Sequence, residues 1–274
     1  MLELIIENWS TIAALMVTGV FAGLLAGLLG VGGGIVIVPV LYFLFQSFGV
    51  SAETAMVVAT ATSLATIIPT SLSSIKAHSK KGNVDSELLK AWWPFILFGV
   101  FAGSYLVTVV SGYWFTLLFG VIATLSALNM LFRTANSAIA DSLPGKAGQS
   151  LMASIIGFFS SMVGIGGGTL SVPMLTACSY PAHRAVGTAA AIGLLISLPG
   201  ALTMLILGQT PEDAPMGTFG LVNLPGLLCI VPLTVLFAPV GANIGSKLDS
   251  ARLKKVFAIV LCITGVRMLA QLVM

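Results

Sequence analysis

Charge is what this sequence lacks. Only 8% of its 274 residues are Asp, Glu, Lys or Arg, against about a quarter in an average soluble domain, and that excludes an ordinary soluble protein. Twelve Lys and Arg against nine Asp and Glu leave a formal charge of +3, too few cations for a face that neutralises nucleic-acid phosphates. Cysteine is equally scarce. Cys178, Cys229 and Cys262 stand singly with no CxxC spacing, so neither a disulfide framework nor a zinc site is indicated, and the three read as buried thiols acting as small hydrophobes. Also missing is any glycine-rich phosphate loop closing on Lys-Ser or Lys-Thr, which excludes direct drive by ATP, and no cofactor motif is present.

In abundance instead is apolar sequence, 57% of the chain. Runs of about 20 residues, the length that crosses a hydrocarbon core, occur near 12–29, 54–75, 91–110, 114–132, 184–207, 219–246 and 256–274. Shorter runs near 35–48, 150–163 and 169–180 fit tilted spans or helices that enter only part of the bilayer. No strict period-two pattern marks a barrel, and a lone strand leaves its backbone unpaired in lipid, so these segments are expected to be helical. The prediction is an all-α polytopic membrane bundle of about 8–10 segments. The first run is longer than the apolar core of a typical signal peptide and follows Glu3 and Glu7, where a signal carries positive charge. It reads as a retained span.

Eleven of the twelve cations fall in four connections: Lys76, Lys80, Lys81 and Lys90; Arg133 and Lys146; Arg184; and Lys247, Arg252, Lys254 and Lys255. The positive-inside rule puts these in the cytoplasm. Glu3, Glu7, Glu53, Glu212 and Asp213 then lie outside, in segments free of Lys and Arg, and both termini are predicted external. Arg267, the twelfth cation, sits in the last span, where it can snorkel outward.

The stretch GVGGGIVIVPVL, Gly30 to Leu41, returns as GIGGGTLSVPML, Gly164 to Leu175, identical at seven of twelve positions. ATATS at Ala59–Ser63 answers to GTAAA at Gly187–Ala191, GNVD at Gly82–Asp85 to GLVN at Gly220–Asn223, and LNML at Leu128–Leu131 to VRML at Val266–Leu269. The chain is thus predicted to be duplicated, with a first transmembrane repeat over 1–133, a cytoplasmic linker over 134–148 and a second repeat over 149–274. The cationic Lys76–Lys90 connection corresponds to the acidic QTPEDAPMG of the second half. Equivalent loops therefore face opposite sides, the mark of inverted-topology repeats. Five crossings per half, or three with each glycine-containing pair re-entrant, both preserve the inversion.

In inverted repeats the substrate site forms near the midplane from interrupted helices. The interruptions here are Gly32, Gly33 and Gly34 in one half and Gly166, Gly167 and Gly168 in the other. A helix starting at Ile35 or Thr169 has unpartnered first N–H groups and a positive dipole end, so two such ends facing one cavity offer an anion bare donors without a buried cation. Close helix packing is the competing reason for such glycines. The next spans supply hydroxyls, namely Thr60, Thr62 and Ser63 in the first half and Thr188 in the second, which can donate to an oxyanion or be spent on backbone carbonyls. Thr60 and Thr188 correspond in the repeat, and Ala189–Ala191 replace the hydroxyls that follow Thr60, so the pocket is expected to be asymmetric in polarity. Asp85 and Asn223 fit helix N-caps, with gating as the second reading of Asp85. Arg267 is a candidate for attracting anions. His78 and His183, at span ends beside cations, read as solvated interface residues, with proton coupling as the alternative.

With GxGGGxxxVPxL occurring twice, followed by the (A/G)T hydroxyl segment and by GNVD or GLVN, the sequence resembles the TauE/SafE sulfite exporter family of permeases over nearly its whole length. The resemblance implies a multi-pass transporter of sulfur-containing oxyanions or organosulfonates, such as sulfite, sulfoacetate or toluenesulfonate. It implies a pocket at Gly32–Gly34, Gly166–Gly168, Thr60 and Thr188. The expected function is a secondary transporter in the cell membrane, working by alternating access and exporting rather than importing, with a passive anion channel as the alternative. An intramembrane enzyme is disfavoured, since the spans hold no paired carboxylates. The expected partners are a small anion and the bilayer, with a homo-oligomer left open.

Overall fold

The computed structural model describes residues 9–30, 32–132, 140–244 and 250–273. Among them run ten helices: α1 Trp9–Leu29, α2 Gly34–Ser47, α3 Ala52–Ser79, α4 Ser86–Val109, α5 Gly112–Phe132, α6 Lys146–Val163, α7 Gly168–Ala177, α8 Ala182–Ile206, α9 Leu224–Ile244 and α10 Ser250–Gln271. Six of these, α1, α3, α4, α5, α8 and α9, are long and apolar enough to cross a membrane. Of the three short runs of the sequence, two become α2, of 14 residues, and α7, of 10, and that near 150–163 lies in α6, of 18.

Two expectations are corrected. The run near 219–246 is not helical from its start, because Thr218–Phe219 and Val222–Asn223 pair as an antiparallel hairpin around Gly220, which has φ +54°, and α9 begins only at Leu224. The three cysteines are half-buried rather than buried: Cys229 and Cys262 lie on helices that turn one side outward, and Cys178 in the turn that ends α7.

Helix starts follow local chemistry. Ser51 caps α3 by accepting the Thr54 N–H (3.3 Å). Asp85 Oδ1 accepts the N–H groups of Glu87 and Leu88 (3.1 Å each), and Asn223 Oδ1 accepts that of Gly226 (2.9 Å), so each takes up a donor that a helix start leaves orphaned.

Packing follows small residues. Gly19, Gly23 and Gly27 of α1 lie so close to α9 that a Cβ on them would meet the carbonyls of Ile230, Thr234 and Ala238. In the same way Gly99 and Gly103 of α4 abut the carbonyls of Ser154 and Phe158 on α6. Spacing small residues by four along a helix lets two backbones touch, a main source of helix association in lipid. The other large contacts are α3 on α8 and α5 on α10. The centre of the bundle is α3, most of whose apolar stretch is buried, whereas most of that of α9 faces outward. At about 1.5 Å per residue its 28 residues reach about 42 Å, longer than a hydrocarbon core of about 30 Å. Large apolar side chains such as Phe98, Ile206, Leu228 and Leu236 point outward from the peripheral helices, the surface a bilayer covers.

Candidate functional site

The two glycine tracts meet. A Cβ on Gly32 would stand 3.3 Å from Gly166 Cα, and one on Gly34 would stand 2.4 Å from Gly164 O and 3.0 Å from Ile165 Cα. Ile67 of α3 lies over both Gly32 and Gly34, with methyls 3.0 and 2.9 Å from those positions. Only residues without side chains let the two breaks come this close. Gly33, the N-cap of α2, has φ +82°, a left-handed conformation that costs an L-residue about 1–2 kcal/mol. The tracts differ in detail, since Gly167 at the start of α7 has an ordinary φ of −52°. It is fixed by packing instead, with its β position 2.6 Å from Ile192 Cγ2 and 2.9 Å from Gly193 N on α8.

Both α2 and α7 therefore begin at this junction. Val36 and Ile37 N–H groups return to Gly33 O, and Ser171 N–H to Gly167 O. The donors ahead of them have no place in the helical ladder, so two positive helix ends sit side by side in the bundle interior.

The hydroxyls divide into engaged and free. Thr62 Oγ1 accepts the Asn223 N–H (2.9 Å), and Thr188 Oγ1 accepts the Asp85 N–H (3.0 Å). Each thus anchors the start of a helix in the other half. Ser63 Oγ donates to Gly164 O (2.7 Å), tying α3 to the second tract. Thr60 and Thr169 hydroxyls are buried and find no hydrogen-bond partner among the described residues, and Thr60 Cα lies 2.8 Å from the β position of Gly164. The structure thus brings Gly32–Gly34, Gly166–Gly168, Thr60 and Ser63 together, while Thr62 and Thr188 serve backbone anchoring.

Asp85 does more than cap. Its Oδ2 accepts from Arg184 Nη2 (2.8 Å) and from the Tyr180 hydroxyl, with the Arg184 guanidinium 5.7 Å from the Tyr180 ring centre. Burial pushes the Asp85 carboxyl up, but the Tyr180 hydroxyl, the Leu88 and Glu87 N–H groups and the Arg184 charge outweigh it and hold the group below the usual carboxylate range. Burial, with the Asp85 carboxylate second, pushes the Tyr180 phenol up to about 12. Beyond the other end of α3, Asp213 accepts the Thr54 hydroxyl (2.6 Å) and the Ser51 N–H (2.9 Å). The Thr54 hydroxyl leads the contacts that lower its carboxyl. Arg267 stays away from the junction, its guanidinium 4.3 Å over the Phe43 ring.

Sequence reasoning missed several groups. His78 is not a solvated interface residue: it is 5% exposed and its Nε2 lies 2.9 Å from Gly27 O. Ser71 and Ser74 are buried and find no partner among the described residues. Their spacing with His78, in steps of three and four, was the available signal. Exposed His183 fits its sequence reading.

A family model described as sulfite exporter TauE/SafE matches residues 15–268. A probable membrane transporter protein of Haemophilus influenzae is 30% identical, covering 92% of this chain and 96% of its own length. One of Methanocaldococcus jannaschii is 27% identical over 93% and 94%, and one of Bacillus subtilis 29% identical over 94% and 97%. No solved structure matches the chain significantly.

Proposed function

Because the chain belongs to the sulfite exporter TauE/SafE family, we propose that this membrane transporter carries a small sulfur-containing anion, sulfite or a sulfonate such as sulfoacetate. It does so as a secondary transporter of the cell membrane, by alternating access and in the direction of export, with both termini outside. The observation that carries this reading is the meeting of the two glycine tracts, Gly32–Gly34 against Gly164–Gly168, at the starts of α2 and α7. An oxyanion suits two helix N-termini whose tracts carry no Lys or Arg, because oriented N–H groups and dipole ends stabilise negative charge without a desolvated cation. Thr60 and Thr169 add hydroxyls free to donate.

Alternating access rests on the two halves being inverted repeats, 1–133 and 149–274 around the 134–148 linker. Supporting this, prolines recur at matching places: Pro39 and Pro173 five residues into α2 and α7, Pro69 and Pro199 seventeen into α3 and α8, and Pro94 and Pro232 eight into α4 and α9. The seams agree, since α1 packs on α9 as α6 packs on α4, and α3 and α5 pack on their own counterparts α8 and α10. Two latches fit the same scheme. Asp85 with Tyr180 and Arg184 closes the start of α8, and Asp213 with Ser51 and Thr54 closes the start of α3. In this reading the first opens toward the cytoplasm and the second toward the outside, in alternation.

The test is flux in proteoliposomes with labelled sulfite and sulfoacetate under an imposed pH gradient or potential. Saturable, gradient-coupled and mutually competitive flux is expected. Non-saturating flux that chloride carries equally well would replace the transporter with a passive channel.

A further inference from the structure

One face of α3 is polar where burial calls for apolar residues. Thr60, Ser63, Ile67, Ser71, Ser74 and His78 follow one another in steps of three and four, so they form a single stripe along the helix. Its first members touch the glycine junction: Thr60 lies against Gly164, Ser63 donates to Gly164 O, and Ile67 covers Gly32 and Gly34. Ser71 Oγ is next, 3.1 Å from the β position of Gly193, a point that is itself 3.6 Å from Gly167 N at the start of α7. The stripe ends at His78, about 10 Å further along the helix axis.

Ser63 apart, the hydroxyls of this stripe are unspent, Thr60, Ser71 and Ser74 alike finding no partner among the described residues. On neighbouring positions Thr66 and Thr70 return their hydroxyls to the carbonyls of Thr62 and Thr66 (2.8 Å each), the usual disposal of a hydroxyl in a membrane helix. Ser71 and Ser74, 1% and 2% exposed, have no partner among the described residues. Native interiors rarely leave such groups unpaired unless water, an ion or a ligand visits them.

His78 makes the stripe chemically specific. Gly27 O can only accept, so the Nε2 facing it carries the hydrogen, and Nδ1 of the neutral ring is a bare acceptor with no donor among the described residues. An anion is repelled by that lone pair. Once protonated, Nδ1 becomes a donor bearing positive charge. The ionisable groups around this end are few. Lys76, Lys80 and Lys81 come from α3 and its end, with Lys81 Nζ turned to Ala242 O on α9 (2.8 Å). From α8 come exposed His183 and Arg184, the latter paired with Asp85. Among the described residues, the stretches of α1 and α9 beside Gly27 and Ala242 contribute no ionisable side chain.

We propose that this face of α3 is the cytoplasmic leg of the anion's route, and that His78 takes up a proton together with the anion. The proposal rests on the anion-transport reading and adds to it a path and a proton-linked binding step. Binding and protonation then favour each other reciprocally. On the outer side, the residues of α8 that match Ser71 and Ser74 by distance from the helix start, nineteen and twenty-two residues in, are Ala201 and Met204, so no equivalent polar leg leads outward along it.

Two measurements test this. In a chain with Cys178, Cys229 and Cys262 replaced by Ala, S71C and S74C are expected to react with a membrane-impermeant thiol reagent from the cytoplasmic side, more slowly with sulfoacetate present. L72C, at a position 53% exposed toward lipid, stays unlabelled. Unreactive S71C and S74C, or equal labelling of L72C, overturns the route whatever the cargo. Second, sulfoacetate keeps a constant charge between about pH 6.5 and 8.5, so protons taken up on its binding in weak buffer report the protein alone. About one proton per anion is expected for wild type and for H183Q, and none for H78Q, whose affinity loses the roughly tenfold fall per pH unit above the histidine range. Binding without proton uptake, or equal uptake in H78Q, overturns the His78 assignment alone. Wild-type protein that binds neither sulfite nor sulfoacetate overturns that assignment and the transport reading together.

Discussion

Gly34→Ala sets local and tertiary physics against each other. Gly34 opens α2 without a positive φ, so in the helix alone Ala is the better residue, by up to about 1 kcal/mol. In the folded protein its Cβ lands 2.4 Å from Gly164 O, 3.0 Å from Ile165 Cα and 2.9 Å from Ile67 Cδ1. Ile67 can turn aside, but the other two atoms belong to the backbone of the second half, which must retreat by about 1 Å to restore ordinary contact. Overpacking of that kind costs about 1–3 kcal/mol, and at 2–4 °C per kcal/mol for a chain of this class the apparent Tm in detergent should fall by roughly 2–12 °C. Gly145→Ala, where a Cβ would meet nothing within 4 Å, is the clash-free control: Gly145 caps α6, so Ala there costs only the cap preference, below about 1 kcal/mol. A Gly34→Ala protein that melts at or above wild type would refute the contact between the two glycine tracts.

Thr62→Val and Thr188→Val should each lower stability by about 1–3 kcal/mol in a thermal melt, because they strip the acceptor from the Asn223 and Asp85 N–H groups. Thr60→Val should leave stability nearly unchanged, since its hydroxyl has no partner among the described residues to lose, while sulfite binding falls at least several-fold. A double-mutant cycle of Asp85→Asn with Arg184→Met should return a coupling near 1 kcal/mol rather than more, because the Arg184 side chain is 43% exposed and screened. The latch should show no titration between about pH 5 and 9. Asp85, lowered, holds its contribution above the ordinary carboxylate range and loses it only in stronger acid. Tyr180, raised to about 12, holds its own below about pH 10 and loses it only as pH rises through that value. Stability melts of wild type against Asp85→Asn across this range should differ by a constant amount.

Much of the architecture was legible because lipid imposes simple rules. Runs of about 20 apolar residues became helices, the GNVD and GLVN turns became the N-caps at Asp85 and Asn223, and the two copies of the glycine motif were found touching. Side-chain direction was harder. Aligning ATATS with GTAAA pairs Thr60 with Thr188, yet the hydroxyl that does in the first half what Thr188 does in the second is Thr62; a shift of two residues on a helix turns a side chain by about 200°. His78 was misplaced for a related reason. Its neighbours Lys76 and Lys80 suggested solvent, but α3 extends far enough to press that end against Gly27 of α1, a contact set by tertiary packing. The hairpin at Thr218–Asn223 hid in an apolar run because two-residue strands carry no periodicity to read.

The central claim is that the glycine junction binds a sulfur oxyanion. It is tested most directly by the thermal stability of purified wild type and Thr60→Val against sulfite, sulfoacetate, sulfate, chloride and acetate. A ligand at about a hundred times its Kd stabilises the folded state by about 2.7 kcal/mol, so wild type should melt roughly 5 °C or more higher with sulfite or sulfoacetate and be little moved by chloride or acetate. Thr60→Val, equally stable without ligand, should lose most of that gain. Equal shifts with chloride and acetate, or a full sulfonate shift surviving in Thr60→Val, would contradict the account.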